Sequence, residues 1–134
     1  MAYGDISLKK DNSSELMASK GILYIVISGP DAYQRASEGL RMAEYQAGDG
    51  VHGVALMLQG EGVEWLREGD EEYRKEIQTS IGVVHELGVP VFVCGVSLND
   101  RVLTATMNDY KFLNSSAPKR ISQAVSKGWQ VAVF

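Results

Sequence analysis

The run of residues 22–27, ILYIVI, constrains the fold more than any other segment of the chain. It is continuously apolar and rich in β-branched side chains, which is typical of a strand buried on both faces. Val51 to Leu58 and Val91 to Cys94 are two further apolar runs of strand length. Such strands belong to parallel sheets that helices cover on both sides. The sequence therefore predicts an α/β fold around a parallel sheet.

Two long helices are predicted between these three strands. Small apolar side chains recur every three or four residues from Ala32 to Ala47, and a second apolar stripe runs through residues 70–87. Glycines follow both segments, as expected at helix ends. We expect Ser28 to cap the first helix, and Val63 to Gly69 to form a short helix or an ordered loop.

The last third of the chain continues the alternation. The motif Ser97 to Asp100 predicts a capping box at the start of a third helix. That helix carries Val102, Leu103, Thr106 and Tyr110. A short strand near Lys111 to Leu113, a helix from Pro118 to Lys127 and a strand from Trp129 to Phe134 follow. Strands that alternate with helices imply right-handed crossovers and a mostly parallel five-stranded sheet.

Composition limits the classes of partner. The 134 residues carry a net charge of −4 and no long basic run, so a nucleic acid is not an expected partner. A single cysteine excludes an intramolecular disulfide framework. No segment approaches the roughly 18 apolar residues of a membrane span. We expect a cytoplasmic protein with no membrane partner. Residues 1–20 are expected to form a polar, flexible leader without a secretion signal, and residues 21–134 are expected to form one domain.

The predicted topology places a ligand site at one edge of the sheet. In open α/β sheets, ligands bind beyond the carboxyl ends of the strands. Four segments follow strands there: Ser28 to Asp31, Gln59 to Gly62, Cys94 to Ser97 and Asn114 to Ser116. We call this edge the carboxyl rim.

Cys94 is the candidate for chemistry on this rim. It ends an apolar strand shortly before a helix, and a thiolate near a helix N-terminus is stabilised by free N–H groups and the helix dipole. Arg101, placed in the first turn of the predicted third helix, would add positive charge. The alternative is structural, because free cysteine is among the most frequently buried residues and often only fills a core.

The remaining candidates favour structural interpretations. His52 and His85 are predicted at the opposite end of the sheet, which leaves a Cys-His nucleophilic pair without support. The acids between Glu61 and Glu72 lack a second type of ligand and indicate a solvated face rather than a metal site. Trp65 is interpreted as a hydrophobic anchor, with closure over the rim or a subunit contact as alternatives. No metal and no cofactor is expected.

The segment from Val89 to Leu98, VPVFVCGVSL, resembles the DsrE/DsrF-like proteins of intracellular sulfur relay, and the likeness extends over Gly21 to Phe134. The resemblance implies a three-layer α/β/α domain that forms homo-oligomers, either trimers or hexamers. It also implies that Cys94 accepts sulfane sulfur as a persulfide and passes it to a partner, such as a small sulfur-carrier protein or a rhodanese-like donor. Some members of the family lack the reactive cysteine and serve as structural or binding subunits.

Three functional hypotheses follow. The first is a sulfurtransferase-like persulfide carrier with Cys94 as the reactive residue. The residues of its substrate-binding rim would be Ser28, Gly29, Gln59, Gly95 and Ser97. The second is a non-catalytic binding or assembly subunit of the same fold with a buried, inert Cys94. The third is a small-ligand or anion-binding domain that uses the turn from Ser28 to Asp31.

Overall fold

A five-stranded sheet forms the centre of the computed structural model, which describes Leu16, residues 20–50 and residues 53–134. Seven strands are present in this part of the chain: β1 Gly21–Val26, β2 Gly53–Leu58, β3 Val91–Cys94, β4 Thr106–Met107, β5 Tyr110–Lys111, β6 Leu113–Ser115 and β7 Gln130–Val133. The central sheet has the order β6-β3-β2-β1-β7, and all of its strands are parallel. The predicted α/β fold and five-stranded sheet are confirmed. Strands β4 and β5 form a separate antiparallel hairpin.

Helices cover both faces of the sheet. They are α1 Tyr33–Asp49, α2 Glu72–Glu86, α3 Gly95–Asp100 and α4 Ala117–Ser126, with short 3₁₀ helices at Pro30–Ala32 and Gly60–Leu66. The first face packs against α1 and α2, and the second packs against α4. Three layers follow from this arrangement. No helix among the described residues is both long enough and apolar enough to cross a membrane.

Strand alternation divides the apolar residues between two cores. Successive side chains of a strand point to opposite faces of the sheet. In β3, Val93 therefore faces the core under α1 and α2, whereas Phe92 and Cys94 face the core under α4. Leu16 is fully buried in this second core. The other residues of the predicted leader, apart from Lys20, lie outside the described residues, as does His52.

The third helix differs from the prediction at both ends. It begins directly after Cys94, so Ser97 lies inside the helix and the predicted capping box is wrong. The helix ends at Asp100, because the N–H groups of Val102 and Leu103 turn back to the carbonyls of Asn99 and Leu98 at 3.3 and 3.0 Å. This is a Schellman motif. The following residues form the β4–β5 hairpin instead of the predicted helix.

Three smaller boundaries also differ from the prediction. Ser28 does not cap the first helix, because the 3₁₀ helix at Pro30–Ala32 precedes α1 and no side chain caps either start. The strand predicted near Lys111 to Leu113 lies slightly later, as β6 from Leu113 to Ser115, because Lys111 pairs with Thr106 inside the β4–β5 hairpin. The segment after β2, predicted as a short helix or an ordered loop, forms a 3₁₀ helix that begins earlier, at Gly60.

Candidate functional site

Cys94 lies where β3 passes into α3 without an intervening loop. Its backbone is extended (φ −67°, ψ 118°), and Gly95 is already helical. Gly95 leaves room beside this junction. A Cβ there would lie 2.6 Å from Oδ1 of Asn114, which belongs to the neighbouring strand β6. The missing side chain therefore accommodates the Asn114 carboxamide at the start of α3.

Donors from two helices converge on the sulfur of Cys94. The N–H groups of Val96 and Ser97 come from the first turn of α3, and the Ser97 hydroxyl is a third donor. The fourth is the N–H of Ala117, the first residue of α4. It reaches the site because β3 and β6 pair with Cys94 opposite Ser115, two residues before α4 begins. Sulfur is a weak acceptor, and neither α3 N–H group has the geometry of a regular capping hydrogen bond to it, so these groups act on the sulfur mainly as nearby dipoles.

The donors outweigh burial in setting the acidity of Cys94. Burial raises the pKa of the thiol, because the side chain is only 7% exposed and the thiolate loses hydration. The Ser97 hydroxyl and the N–H groups of Ser97, Val96 and Ala117 lower it, and the resulting pKa lies below the ordinary value. Neutral dipoles therefore stabilise this thiolate.

Arg101 does not supply the positive charge that the sequence predicted for the thiolate. It follows the last residue of α3 instead of lying in the first turn. Its guanidinium forms ion pairs with Glu61 at 3.2 Å and Glu64 at 3.3 Å. The expectation is wrong because the helix begins three residues earlier than predicted, with Cys94 instead of Ser97 as its N-cap, and ends after six residues.

Ser97 connects the thiol to the loop beyond β2. The N–H of Gly60 donates to the Ser97 Oγ at 2.9 Å, so one lone pair of the hydroxyl oxygen is occupied. The hydroxyl hydrogen remains available to donate to the sulfur of Cys94. Ser97 is buried, which shields both interactions from water.

The predicted rim residues fall into two groups. Gly95 and Ser97 adjoin Cys94 directly. Ser28, Gly29 and Gln59 instead contact the Gly60–Leu66 helix or its neighbouring strand. The Ser28 carbonyl accepts the Trp65 indole N–H at 2.8 Å, and Gln59 donates its N–H to the Val26 carbonyl at 3.1 Å. Gly29 lies so close to Glu61 that a Cβ would come within 2.8 Å of its carbonyl oxygen.

Sequence reasoning anticipated N–H groups around Gly95 to Ser97 beside the thiolate, but it missed two donors at the site: the N–H groups of Gly60 and Ala117. The start of α4 is visible in the sequence, because Ser116 is expected to precede a helix. Its proximity to Cys94 is not, since that depends on β6 lying beside β3.

The other candidates have structural roles in the described residues. Trp65 is fully buried, which confirms the predicted anchor. His85 lies near the end of α2, with its ring centroid 5.2 Å from that of Tyr110 and 5.4 Å from that of Phe112. Among the described residues, no group of three or more histidine, cysteine or acidic side chains is arranged to hold a metal ion.

A groove of about 1130 Å³ lies between α2 and the β4–β5 hairpin, away from Cys94. Its lining is mixed: Lys75, Glu86 and Gln78 are polar, whereas Val83 and Val102 are apolar. Cys94 does not line this groove, and its side chain is largely buried at the end of β3.

Comparison with solved structures shows the fold. The ychN protein from E. coli has a TM-score of 0.71 and 17% identity, covering 86% of this chain and 99% of that one. The conserved protein of unknown function BT1422 from Bacteroides thetaiotaomicron has a TM-score of 0.67 and 11% identity, covering 84% and 94%. MTH1491 from Methanobacterium thermoautotrophicum, also of unknown function, has a TM-score of 0.62 and 18% identity, covering 86% and 98%.

Sequence comparison assigns the family. No curated protein matches the chain. The sequence model of the DsrE/DsrF-like family matches residues 20–134, which include the whole sheet and all four helices. That family is associated with sulfur relay. The chain therefore belongs to the DsrE/DsrF-like family.

Proposed function

We propose that this protein is a sulfur-relay protein that carries sulfane sulfur as a persulfide on Cys94 and passes it to a partner protein. The observation that carries the proposal is the convergence of donors from α3 and α4 on one thiol, which lowers its pKa despite burial. A cysteine that merely fills a core has its pKa raised by its apolar surroundings. Membership of the family supports the same assignment.

The proposed loading step is thiolate exchange at sulfur. The Cys94 thiolate attacks the sulfane sulfur of a donor R–S–SH, and a bond forms between Sγ and that sulfur. The donor S–S bond breaks, and its electron pair leaves on the thiolate R–S⁻. The products are Cys94–S–SH and R–S⁻, so atoms and charge balance and no external oxidant is required.

The unloading step reverses the role of Cys94. An acceptor thiolate attacks the outer sulfur, the Sγ–S bond breaks, and Cys94 leaves as a thiolate. A leaving thiol with a lower pKa departs faster. The same donors from Val96, Ser97 and Ala117 therefore assist both steps. With a single cysteine in the chain, the acceptor thiol has to come from another chain or a small molecule.

The proposed assembly is a homo-oligomer, a trimer or a hexamer, that exchanges sulfur with a small sulfur-carrier protein or a rhodanese-like donor. The family match supports this proposal. Sedimentation of the purified chain tests it. A monomer at working concentrations would reject the oligomer without affecting the chemistry of Cys94.

Intact mass spectrometry tests the proposed carrier function. The native protein is incubated with polysulfide or thiosulfate, with and without reductant, beside Cys94→Ser as the matched control. We expect the wild type to gain one or more sulfur atoms, reversibly with reductant, and the variant to gain none. No gain, together with a thiol that alkylates only after denaturation, would reject the carrier and support the inert assembly subunit. Thermal stabilisation by anions that persists in Cys94→Ser would instead support the anion-binding alternative.

A further inference from the structure

The Ser97 hydroxyl is held by a partner that lies far away in sequence. A serine inside a helix can rotate its hydroxyl toward backbone carbonyls of its own helix. Here Oγ accepts the N–H of Gly60, which comes from the segment after β2. This bond selects the rotamer in which the hydroxyl can serve Cys94.

The Gly60–Leu66 helix is itself held against strand β1. A Cβ on Gly62 would lie 2.0 Å from the carbonyl oxygen of Val26, and a Cβ on Gly29 would lie 2.8 Å from the Glu61 carbonyl oxygen. These two close approaches bring the backbone of this helix against β1 and the turn that follows it. The contact with β1 thereby fixes the position of Gly60, whose N–H reaches Ser97 in α3.

Arg101 ties the same helix to the far end of α3. Its Nη1 donates to the Ser97 carbonyl at 3.1 Å, its Nη2 pairs with Glu61 at 3.2 Å, and its Nε pairs with Glu64 at 3.3 Å. One partly buried guanidinium therefore contacts α3 and both acids of the Gly60–Leu66 helix. Arg67 also pairs with Glu64, at 2.8 Å, and its Nη2 donates to the Arg101 carbonyl at 3.3 Å.

We propose that Arg101 is a positioning residue for the Cys94 site: it clamps the Gly60–Leu66 helix onto α3, so that Gly60 orients the Ser97 hydroxyl toward the sulfur. This inference deepens the proposed function and rests on it. Arg101 acts through Ser97, and Ser97 acts on the thiolate. Without the Arg101 contacts, the Ser97 hydroxyl is free to rotate away from the sulfur. The thiolate then loses a hydrogen-bond donor and is less stable.

The test is the pH profile of Cys94 alkylation in the native protein, with iodoacetamide as the probe. We expect Ser97→Ala and Arg101→Gln to move the midpoint to higher pH and to slow alkylation about tenfold below the midpoint, since hydrogen bonds to charged groups are among the stronger ones. Arg67→Gln is the matched control, because it removes a Glu64 partner and a donor to the Arg101 carbonyl but leaves the Arg101 side-chain contacts to Ser97, Glu61 and Glu64 in place. Ser97→Thr keeps a hydroxyl, so its alkylation midpoint should stay at the wild-type pH.

An Arg101→Gln midpoint equal to that of wild type, or moved no further than that of Arg67→Gln, would overturn the proposal. Circular dichroism confirms that each variant is folded. Thiolate absorbance, taken as a difference from Cys94→Ser, gives the same midpoint without a reagent that must enter the site. The midpoint does not depend on sulfur loading. A shifted midpoint in a protein that gains no sulfur would therefore reject the carrier function and retain the positioning role.

Discussion

Gly62 shows how one absent side chain determines where a whole segment lies. Its Cα faces the end of β1, and a Cβ would come 2.0 Å from the Val26 carbonyl oxygen and 2.9 Å from the carbonyl carbon. Both atoms belong to the backbone of a buried strand, which cannot rotate away as a flexible side chain would. The glycine at this position is therefore required by close approach.

Gly62→Ala is expected to destabilise the protein by about 1–3 kcal/mol, because overpacking against fixed backbone forces a shift of the chain. Gly48→Ala is the matched control. Gly48 lies in α1, and the methyl group of an alanine there would meet no heavy atom within 4 Å, so this substitution should stabilise by up to about 1 kcal/mol through helix propensity. Urea unfolding of both variants gives the two changes. Equal stability of the two variants would contradict the assignment of Gly62.

At the scale of elements, α3 is short because of how its last turn closes. The Schellman motif requires a left-handed residue after the C-cap, which is usually glycine. Val102 occupies this position with φ of 54° and is 93% exposed. A β-branched residue in this conformation is strained. The hydrogen bonds of the turn and the following hairpin hold it there.

Val102→Gly is expected to stabilise the protein by roughly 1 kcal/mol, because it relieves the left-handed strain and loses almost no buried surface. Val96→Gly is the comparison, since Val96 is also exposed but lies within α3. There glycine should destabilise by roughly 0.5 kcal/mol through its poorer helix propensity. Chemical denaturation distinguishes the two signs, and a loss of stability in Val102→Gly would show that the side chain contributes contacts.

At the scale of the whole molecule, Cys94 couples the chemistry of the site to the free energy of unfolding. The folded state holds the pKa of the thiol below its unfolded value. A group whose pKa is depressed on folding adds stability above the unfolded pKa and loses it as pH falls through the folded pKa. The burial of Cys94 opposes this effect, but the donors from α3 and α4 exceed it.

The stability of wild type relative to Cys94→Ser should therefore rise with pH, from the lowered pKa of the folded thiol up to the ordinary value of 9.0. Urea unfolding of both proteins across this range measures the difference. Tyr24, whose pKa is raised by burial and by Asp49, titrates in both proteins and cancels. A difference that stays constant or falls with rising pH would show that the thiol is not acidic in the folded state.

The sequence alone determined the elements that depend on local pattern. Apolar runs located β1, β2 and β3, and helical periodicity located α1, α2 and α4. The position of Cys94 at a strand end followed from the same pattern. These features were predictable because a buried strand and an amphipathic helix each impose a short-range periodicity on their own residues.

The tertiary structure decided which strand ends became neighbours. Placing β6 beside β3 brought the N–H of Ala117 to Cys94, and packing of the Gly60–Leu66 helix on β1 brought Gly60 to Ser97. The early end of α3 also depended on packing, because Val102 has no intrinsic preference for the left-handed conformation. Strand order and such contacts join residues that are distant in sequence, so no local pattern encodes them. The sequence thus identified the cysteine, and only the folded chain assembled the donors that make its thiol acidic.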